Sequence, residues 1–213
     1  MRTTVLKENL KDGLGVVERV AAKSLSLPIL SNILISGAKN SIRLCATDLE
    51  IGITYECLAT TKEEGQAVVP AKVLSPYIGL LSDQQVELNT QEQNLGIASG
   101  SYRASVKTLN PEDFPVIPSI QGDEQPIEVE TLVFCNGISQ VVGMTGQSQA
   151  RPEISGVFFQ FEKDRLKIAG TDSFRLAEKT LAFQNPSSSS HSFILPSKTA
   201  RELIFVLGER PGK

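Results

Sequence analysis

There is no tryptophan in this chain, a single histidine, three cysteines and only 6% aromatic residues among 213. With so few large rings, branched aliphatic side chains must fill the interior, and an apolar content of 40% is enough for conventional cores in one or two domains. Cys45, Cys57 and Cys135 are odd in number and widely spaced, which excludes a disulfide framework, a zinc knuckle and a paired redox motif. Buried free thiols in a reducing compartment are expected. Nowhere do about 18 apolar residues run together, and Arg2, Lys7, Glu8, Lys11 and Asp12 stand where a signal peptide would be. A cytoplasmic protein with no membrane partner is expected. The net charge of −3 argues against a basic coat for gripping nucleic acid, though not against a basic patch on one face.

Catalytic chemistry is equally scarce. His191 lies in the hydroxyl-rich stretch 187–192 with no activated-serine motif around it, so a solvated loop is the better reading than a triad fragment. The closing stretch 208–213 ends in Gly-Lys but is one residue short of a phosphate-loop spacing and lacks the following Ser or Thr. No dinucleotide glycine fingerprint occurs. No catalytic residue, cofactor or metal is therefore expected.

What the chain does have is a repetition. Ile33-Leu34-Ile35, a polar turn and Ile42-Arg43-Leu44-Cys45-Ala46-Thr47-Asp48 return as Val157-Phe158-Phe159, a turn and Leu166-Lys167-Ile168-Ala169-Gly170-Thr171-Asp172. The two Thr-Asp pairs are 124 residues apart, and Pro70 and Pro196 of Val-Val-Pro-Ala-Lys and Ile-Leu-Pro-Ser-Lys are 126 apart. A period this long implies repeated whole domains, because solenoid units run to about 20–50 residues. The repeat also weakens a metal site at Asp48 and Glu50, since Asp172 is followed by Ser173 and Phe174 with no second acid. An Asp that caps a turn through its own side chain accounts for both. The second copy stops near Lys213, before counterparts of roughly residues 88–121 appear, so the spacing predicts domains at 1–121 and 122–213 with the second truncated.

Within the first copy, Leu6, Leu10, Leu14, Val17 and Val20 predict an amphipathic helix over 7–23, weakened by Gly13 and Gly15. Lys7, Lys11, Arg19 and Lys23 would then form a stripe on one side. Strands are predicted at 33–36, 42–45 and 52–57, with a second helix around Val73, Leu74, Tyr77, Ile78 and Leu81. Pro76 must either start that helix behind Ser75 or kink it. Three alternating segments come next, and the Pro-, Gly- and acid-rich stretch 110–126 reads as a linker. The second copy has a helix with Leu132, Cys135, Ile138 and Val142 on one side. Strands at 156–161, 166–169 and 176–182 come after it, and then a helix marked by Ala200, Leu203, Ile204 and Leu207. Two helices laid on one side of a mostly antiparallel sheet, twice over, is an α+β architecture.

Four segments together resemble one family. Leu27-Pro28-Ile29-Leu30-Ser31-Asn32, Ala46-Thr47-Asp48-Leu49-Glu50, Val68-Val69-Pro70-Ala71-Lys72 and Leu109-Asn110-Pro111-Glu112-Asp113-Phe114-Pro115 resemble the bacterial sliding clamp, the beta subunit of DNA polymerase III. Gly170-Thr171-Asp172-Ser173-Phe174-Arg175-Leu176-Ala177 and Ile194-Leu195-Pro196-Ser197-Lys198 are similar to its second domain. The resemblance implies a DNA clamp fold of three similar domains per chain, two chains forming a homodimer ring around duplex DNA, with the third domain absent here. It implies DNA-facing cations at Lys7, Lys11, Arg19, Lys23, Lys72, Lys198 and Arg201. It implies a pocket for partner peptides at Ile154, Thr171, Ser173, Phe174, Arg175 and Leu176, and a dimer interface near Ile78, Leu81, Ala104 and Val106. The implied partners are DNA polymerase III subunits, the clamp loader and other proteins with a clamp-binding motif. Two departures stand out: residues 131–145 carry no Lys or Arg, and Ser173-Phe174 occupies a place where many members have Gly-His. The alternative is a monomeric, non-specific DNA-binding module that uses the helix stripe for affinity.

Overall fold

The computed structural model describes residues 1–21, 27–118, 127–148, 150–182 and 190–208. The chain divides into two compact units, Met1–Ile120 and Gln121–Lys213. Each is built from helices packed on one side of an antiparallel sheet.

The first unit runs β1 (Arg2–Leu6), α1 (Lys7–Val17), β2 (Asn32–Ala38), β3 (Ser41–Thr47), β4 (Gly52–Glu63), β5 (Gly65–Pro70), α2 (Ala71–Leu80), β6 (Gln85–Gln91), β7 (Asn94–Ser99) and β8 (Tyr102–Lys107). Its eight strands are ordered β5-β2-β3-β4-β1-β6-β7-β8. This order is itself a repeat: a strand, a helix and three strands, twice. The joint is β4, whose first half pairs with β3 (Gly52 to Thr47, Leu58 to Ser41) and whose second half pairs with β1 (Ala59 to Val5). Strict alternation along β4 turns Ile53, Tyr55, Cys57 and Ala59 toward the core. That core also takes Leu10, Leu14 and Val17 from α1, Leu74 and Ile78 from α2, and Ile33, Ile35, Ile42, Leu44, Val86, Leu88, Leu95 and Ile97 from the sheet.

The opposite face of the sheet has a small cluster of its own. After β8, Leu109 donates its N–H to the Val68 carbonyl at 2.9 Å, and a 3-10 turn at Pro111–Asp113 leads to Phe114. Phe114 is buried with Val68 and Cys45, and Ile29, Leu34 and Ile117 pack around them. The start of the stretch 110–126, expected to be a linker, is therefore a strap over the sheet. Burial of its apolar residues outweighs the proline-rich composition that reads as a linker.

Two further expectations change, and one open alternative is decided. The helix over 7–23 ends at Val17, where the N–H groups of Val20 and Ala21 both turn back to the Val17 carbonyl; residues 22–26 lie outside the described residues. Val16, Val17 and Val20 are all buried, and such β-branched side chains favour helix less than straight ones. Strands β1 and β5 were not expected as such, because each is short and finds its partners far along the chain. Of the two places open to Pro76, the structure takes the one inside the helix, since α2 begins directly after Pro70 and not behind Ser75.

The second unit runs α3 (Thr131–Val142), β9 (Gly156–Phe161), β10 (Arg165–Thr171), β11 (Leu176–Ala182), β12 (His191–Pro196) and α4 (Ser197–Leu207). Its sheet order, β11-β10-β9-β12, reproduces β4-β3-β2-β5 of the first unit. Among the described residues no strand precedes α3 and none follows α4. Ile138, Val141, Val142, Val157, Phe159, Leu166, Ile168, Leu181 and Ala200 form its core. All three thiols are free, Cys45 and Cys135 buried and Cys57 partly so. Burial pushes the Cys57 and Cys135 thiols up, and the Glu56 carboxylate adds to the effect at Cys57.

Candidate functional site

Both Thr-Asp pairs build the same turn. In the first unit Thr47 Oγ1 accepts the Leu49 N–H at 3.0 Å, and Asp48 Oδ1 accepts those of Glu50 and Ile51 at 3.1 and 2.8 Å. In the second, Thr171 Oγ1 accepts the Ser173 N–H at 3.2 Å, and Asp172 Oδ1 accepts those of Phe174 and Arg175 at 3.0 Å each. The capping role expected of these aspartates is what the geometry shows. Among the described residues no group of three or more His, Cys, Asp or Glu side chains could hold a metal.

The second turn departs from the first in its charge. Arg175 Nε donates to Asp172 Oδ2 at 3.0 Å, so the carboxylate is held from two sides. The Phe174 N–H first, and the Arg175 guanidinium next, keep the Asp172 carboxyl below the usual aspartate range. Thr171 Oγ1 also donates to the Arg175 carbonyl at 2.8 Å. The turn thus presents a fixed cation beside two exposed apolar side chains, Phe174 at 97% exposure and Leu176.

A polar cleft opens beside this turn, lined by Gly143, Thr145, Gly146, Gln147, Asp172, Arg175, Ser197 and Arg201. Three elements converge there: the end of α3, the β10–β11 turn and the start of α4. Of the residues expected in a peptide pocket, Arg175 lines the cleft, while Thr171 and Ile154 lie beside it; the Ile154 carbonyl accepts the Gly146 N–H at 2.8 Å. Ser173, Phe174 and Leu176 stand exposed on the same turn. The cleft also takes Arg201, expected on a DNA-facing helix, so two arginines share it instead of one. Arg201 Nη2 donates to the Val142 carbonyl at 3.4 Å, at the C-terminus of α3, where a cation is favoured by the helix dipole. Thr145, Gln147 and Ser197 carry no sequence signal that marks them; the convergence of three elements selects them.

The expected DNA-facing stripe is rearranged. Because α1 ends at Val17, only Lys7 and Lys11 share it; Arg19 follows its end and Lys23 lies outside the described residues. Lys7 is half-buried and its Nζ donates to the Leu81 carbonyl at the end of α2, so its charge serves a helix C-terminus. Lys11, Arg19, Lys72, Lys198 and Arg201 are exposed.

Of the four residues expected at a subunit interface, Ile78 and Leu81 are buried in the core of the first unit and have no surface to offer a partner. Ile78 falls on the inward side of α2 because positions 71, 74 and 78 are one helical face, and Leu81 is the extended residue that follows the helix. Ala104 and Val106 are partly buried on β8, the last strand of its sheet. The exposed apolar residues of α2 are instead Val73 and Leu80.

Residues 1–118 match the family model described as the N-terminal domain of the DNA polymerase III beta subunit, and residues 128–211 match that of its central domain. The chain is similar to the beta sliding clamp of Pseudomonas aeruginosa, at 28% identity over 219 residues, covering 100% of this chain and 58% of that protein. The beta sliding clamp of Bacillus subtilis is 26% identical over 218 residues, covering 98% of this chain and 57% of that protein. The solved DNA polymerase sliding clamp from Bacillus subtilis gives a TM-score of 0.94 at 25% identity, covering 100% of this chain and 58% of the other. The chain thus spans little more than half the length of these relatives.

Proposed function

Since the chain belongs to the DNA polymerase III beta subunit family, we propose that it supplies the first two units of a sliding clamp, a non-catalytic ring that encircles duplex DNA. Such a ring keeps the replicative polymerase on its template and receives the clamp loader and repair proteins on its outside. The observation that carries this reading is the repeated unit: the same strand register and the same Thr-Asp turn recur 124 residues apart.

The net charge of −3 suits this role. A ring holds DNA by topology, so scattered, sequence-independent phosphate contacts suffice, and a tight basic grip would slow sliding. Lys11, Arg19, Lys72 and Lys198 are exposed and are the cations we assign to that contact, whereas Arg201 shares the cleft with Arg175 and donates to the α3 C-terminus. The Arg175 turn, with Phe174 and Leu176 exposed beside a cleft, is assigned to an extended peptide with apolar anchors and a polar end. Edge strand β8 is assigned to the contact between subunits, because it pairs only with β7 within this unit. A cytoplasmic location is consistent with work on replicating DNA, and among the described residues no helix is long and apolar enough to cross a membrane.

The test is topological. Protein purified from its native source is loaded on nicked circular DNA and passed over a sizing column before and after the circle is cut. Retention on the circle and loss after linearisation is the expected result. Equal retention on both forms, falling steeply with salt, would instead assign the protein to monomeric, non-specific DNA binding.

A further inference from the structure

Residues 109–118, the strap of the first unit, are fastened to the sheet at two kinds of point. One is a single antiparallel bridge, in which Leu109 donates its N–H to the Val68 carbonyl at 2.9 Å. The other is side-chain burial. Phe114, at 6% exposure, packs with Val68 and Cys45, and Ile117 sits beside them against Gly52, where a Cβ would lie 2.8 Å from it. Beyond the Leu109 bridge, among the described residues, no backbone bond joins the strap to the sheet. Pro111, Pro115 and Pro118 have no N–H to give. The N–H groups of Asp113 and Phe114 turn back to the carbonyls of Asn110 and Pro111, so those bonds lie within the strap and survive if it lifts.

The cluster under the strap is also separate from the main core. It shares no residue with the cluster on the helix face, where α1 and α2 pack on the sheet. Lifting the strap would leave that core and the strand ladders from β5 to β8 in place. A local opening breaks only the contacts of the part that moves, so a segment held by one bridge and one small cluster opens far more often than the whole unit unfolds.

We infer that residues 109–118 are a latch, which lifts from the sheet as one piece while the rest of the first unit stays folded. The strap is the last described stretch of the first unit before the second begins at Gln121. Lifting it therefore adds the ten residues 109–118, about 30 Å of extended chain, to the connection between the two units. The closed latch keeps that connection short, and the open latch lengthens it. Phe114 is the catch, whereas Val116, at 92% exposure, takes no part. The latch is complete within the first unit and does not require that a ring forms.

Two probes report on it: the Cys45 thiol beneath Phe114, and the Leu109 N–H five residues upstream. Labelling of Cys45 by an aromatic disulfide, resolved from Cys57 and Cys135 by peptide mass spectrometry, and amide exchange at Leu109, followed by NMR, are measured in the intact protein in rising urea. At low urea both rates should climb with a slope well below that of unfolding, and join it only near the midpoint. Phe114→Ala should speed both by the same factor, at least about tenfold, and Val116→Ala should change neither. Should Phe114→Ala fail to fold, Phe114→Leu and the urea slopes of the unaltered protein still decide. Rates that follow the unfolding slope from the first addition of urea would show that strap and sheet open together. Acceleration at Cys45 alone, with Leu109 unchanged, would show reagent access without lifting. Either result overturns the latch.

Discussion

Gly13 on α1 and Gly137 on α3, 124 residues apart, make the same contact in their two units: each lets its helix settle directly on the sheet. A Cβ at Gly13 would lie 2.6 Å from Tyr55 Cδ1 and 2.8 Å from Leu44 Cδ1; at Gly137 it would lie 3.1 Å from Leu181 and 3.2 Å from Ile168. Gly15, two residues along α1, meets nothing within 4 Å. Gly13→Ala should therefore destabilise the first unit by about 1–3 kcal/mol through overpacking, although alanine favours helix. Gly15→Ala should stabilise it by about 0.5–1 kcal/mol. Urea denaturation midpoints check both signs, and a stabilising Gly13→Ala would refute the close-approach reading.

The turns after Thr47 and Thr171 place Leu49 at φ 74° and Ser173 at φ 77°, in the left-handed region. An L side chain there costs about 1–2 kcal/mol, partly offset in a glycine variant by the extra freedom of the unfolded chain. Leu49 is exposed and loses little packing when removed. Leu49→Gly should raise stability by up to about 1 kcal/mol, and Leu49→Val should lower it by a similar amount. Thermal melts of the two variants should move in opposite directions.

Asp172 is expected to titrate below an ordinary aspartate, because the Phe174 N–H and the Arg175 guanidinium stabilise its charged form. A depressed folded pKa means the turn's stabilisation is complete above the unfolded value of about 3.9 and is lost as pH falls through the lower folded value. A carboxyl-carbon NMR titration should show this low midpoint, and Arg175→Ala should move it upward. A midpoint unchanged by that substitution would mean that the 3.0 Å ion pair does not form in solution.

The strap makes a prediction of its own. Phe114→Ala should destabilise the first unit by about 3 kcal/mol, since it empties the cluster around Val68 and Cys45. Val116, two residues on, is almost wholly exposed, and Val116→Ala should change stability by less than about 0.5 kcal/mol. Equal effects of the two would return the segment to the status of a linker.

Local pattern was enough to find the repeat, the strands β2, β3, β9, β10 and β11, and the inward faces of α1 and α3 except at Leu6, which ends β1, and Leu132, both of which are exposed. Those signals are periodicities in the chain itself, and the Thr-Asp turn closes within five residues. Pattern missed the contacts whose partner lies far away along the chain. β1 is five residues long and becomes a strand only between residues 59–63 of β4 and 85–89 of β6. Lys7 has a place on a helical stripe by spacing, but the Leu81 carbonyl, 74 residues away, decides what its charge does. Phe114 reads as one apolar residue in a proline-rich stretch until Val68 and Cys45 are brought beneath it. The same holds for the cleft, where Arg175 and Arg201 meet Thr145 only because α3, the β10–β11 turn and α4 converge. The unit, its repetition and the turn that marks it were legible along the chain, because each is set by neighbours in sequence. Folding decided which cations are committed to helix ends and which apolar faces are covered, because those outcomes depend on atoms that only the tertiary fold brings together.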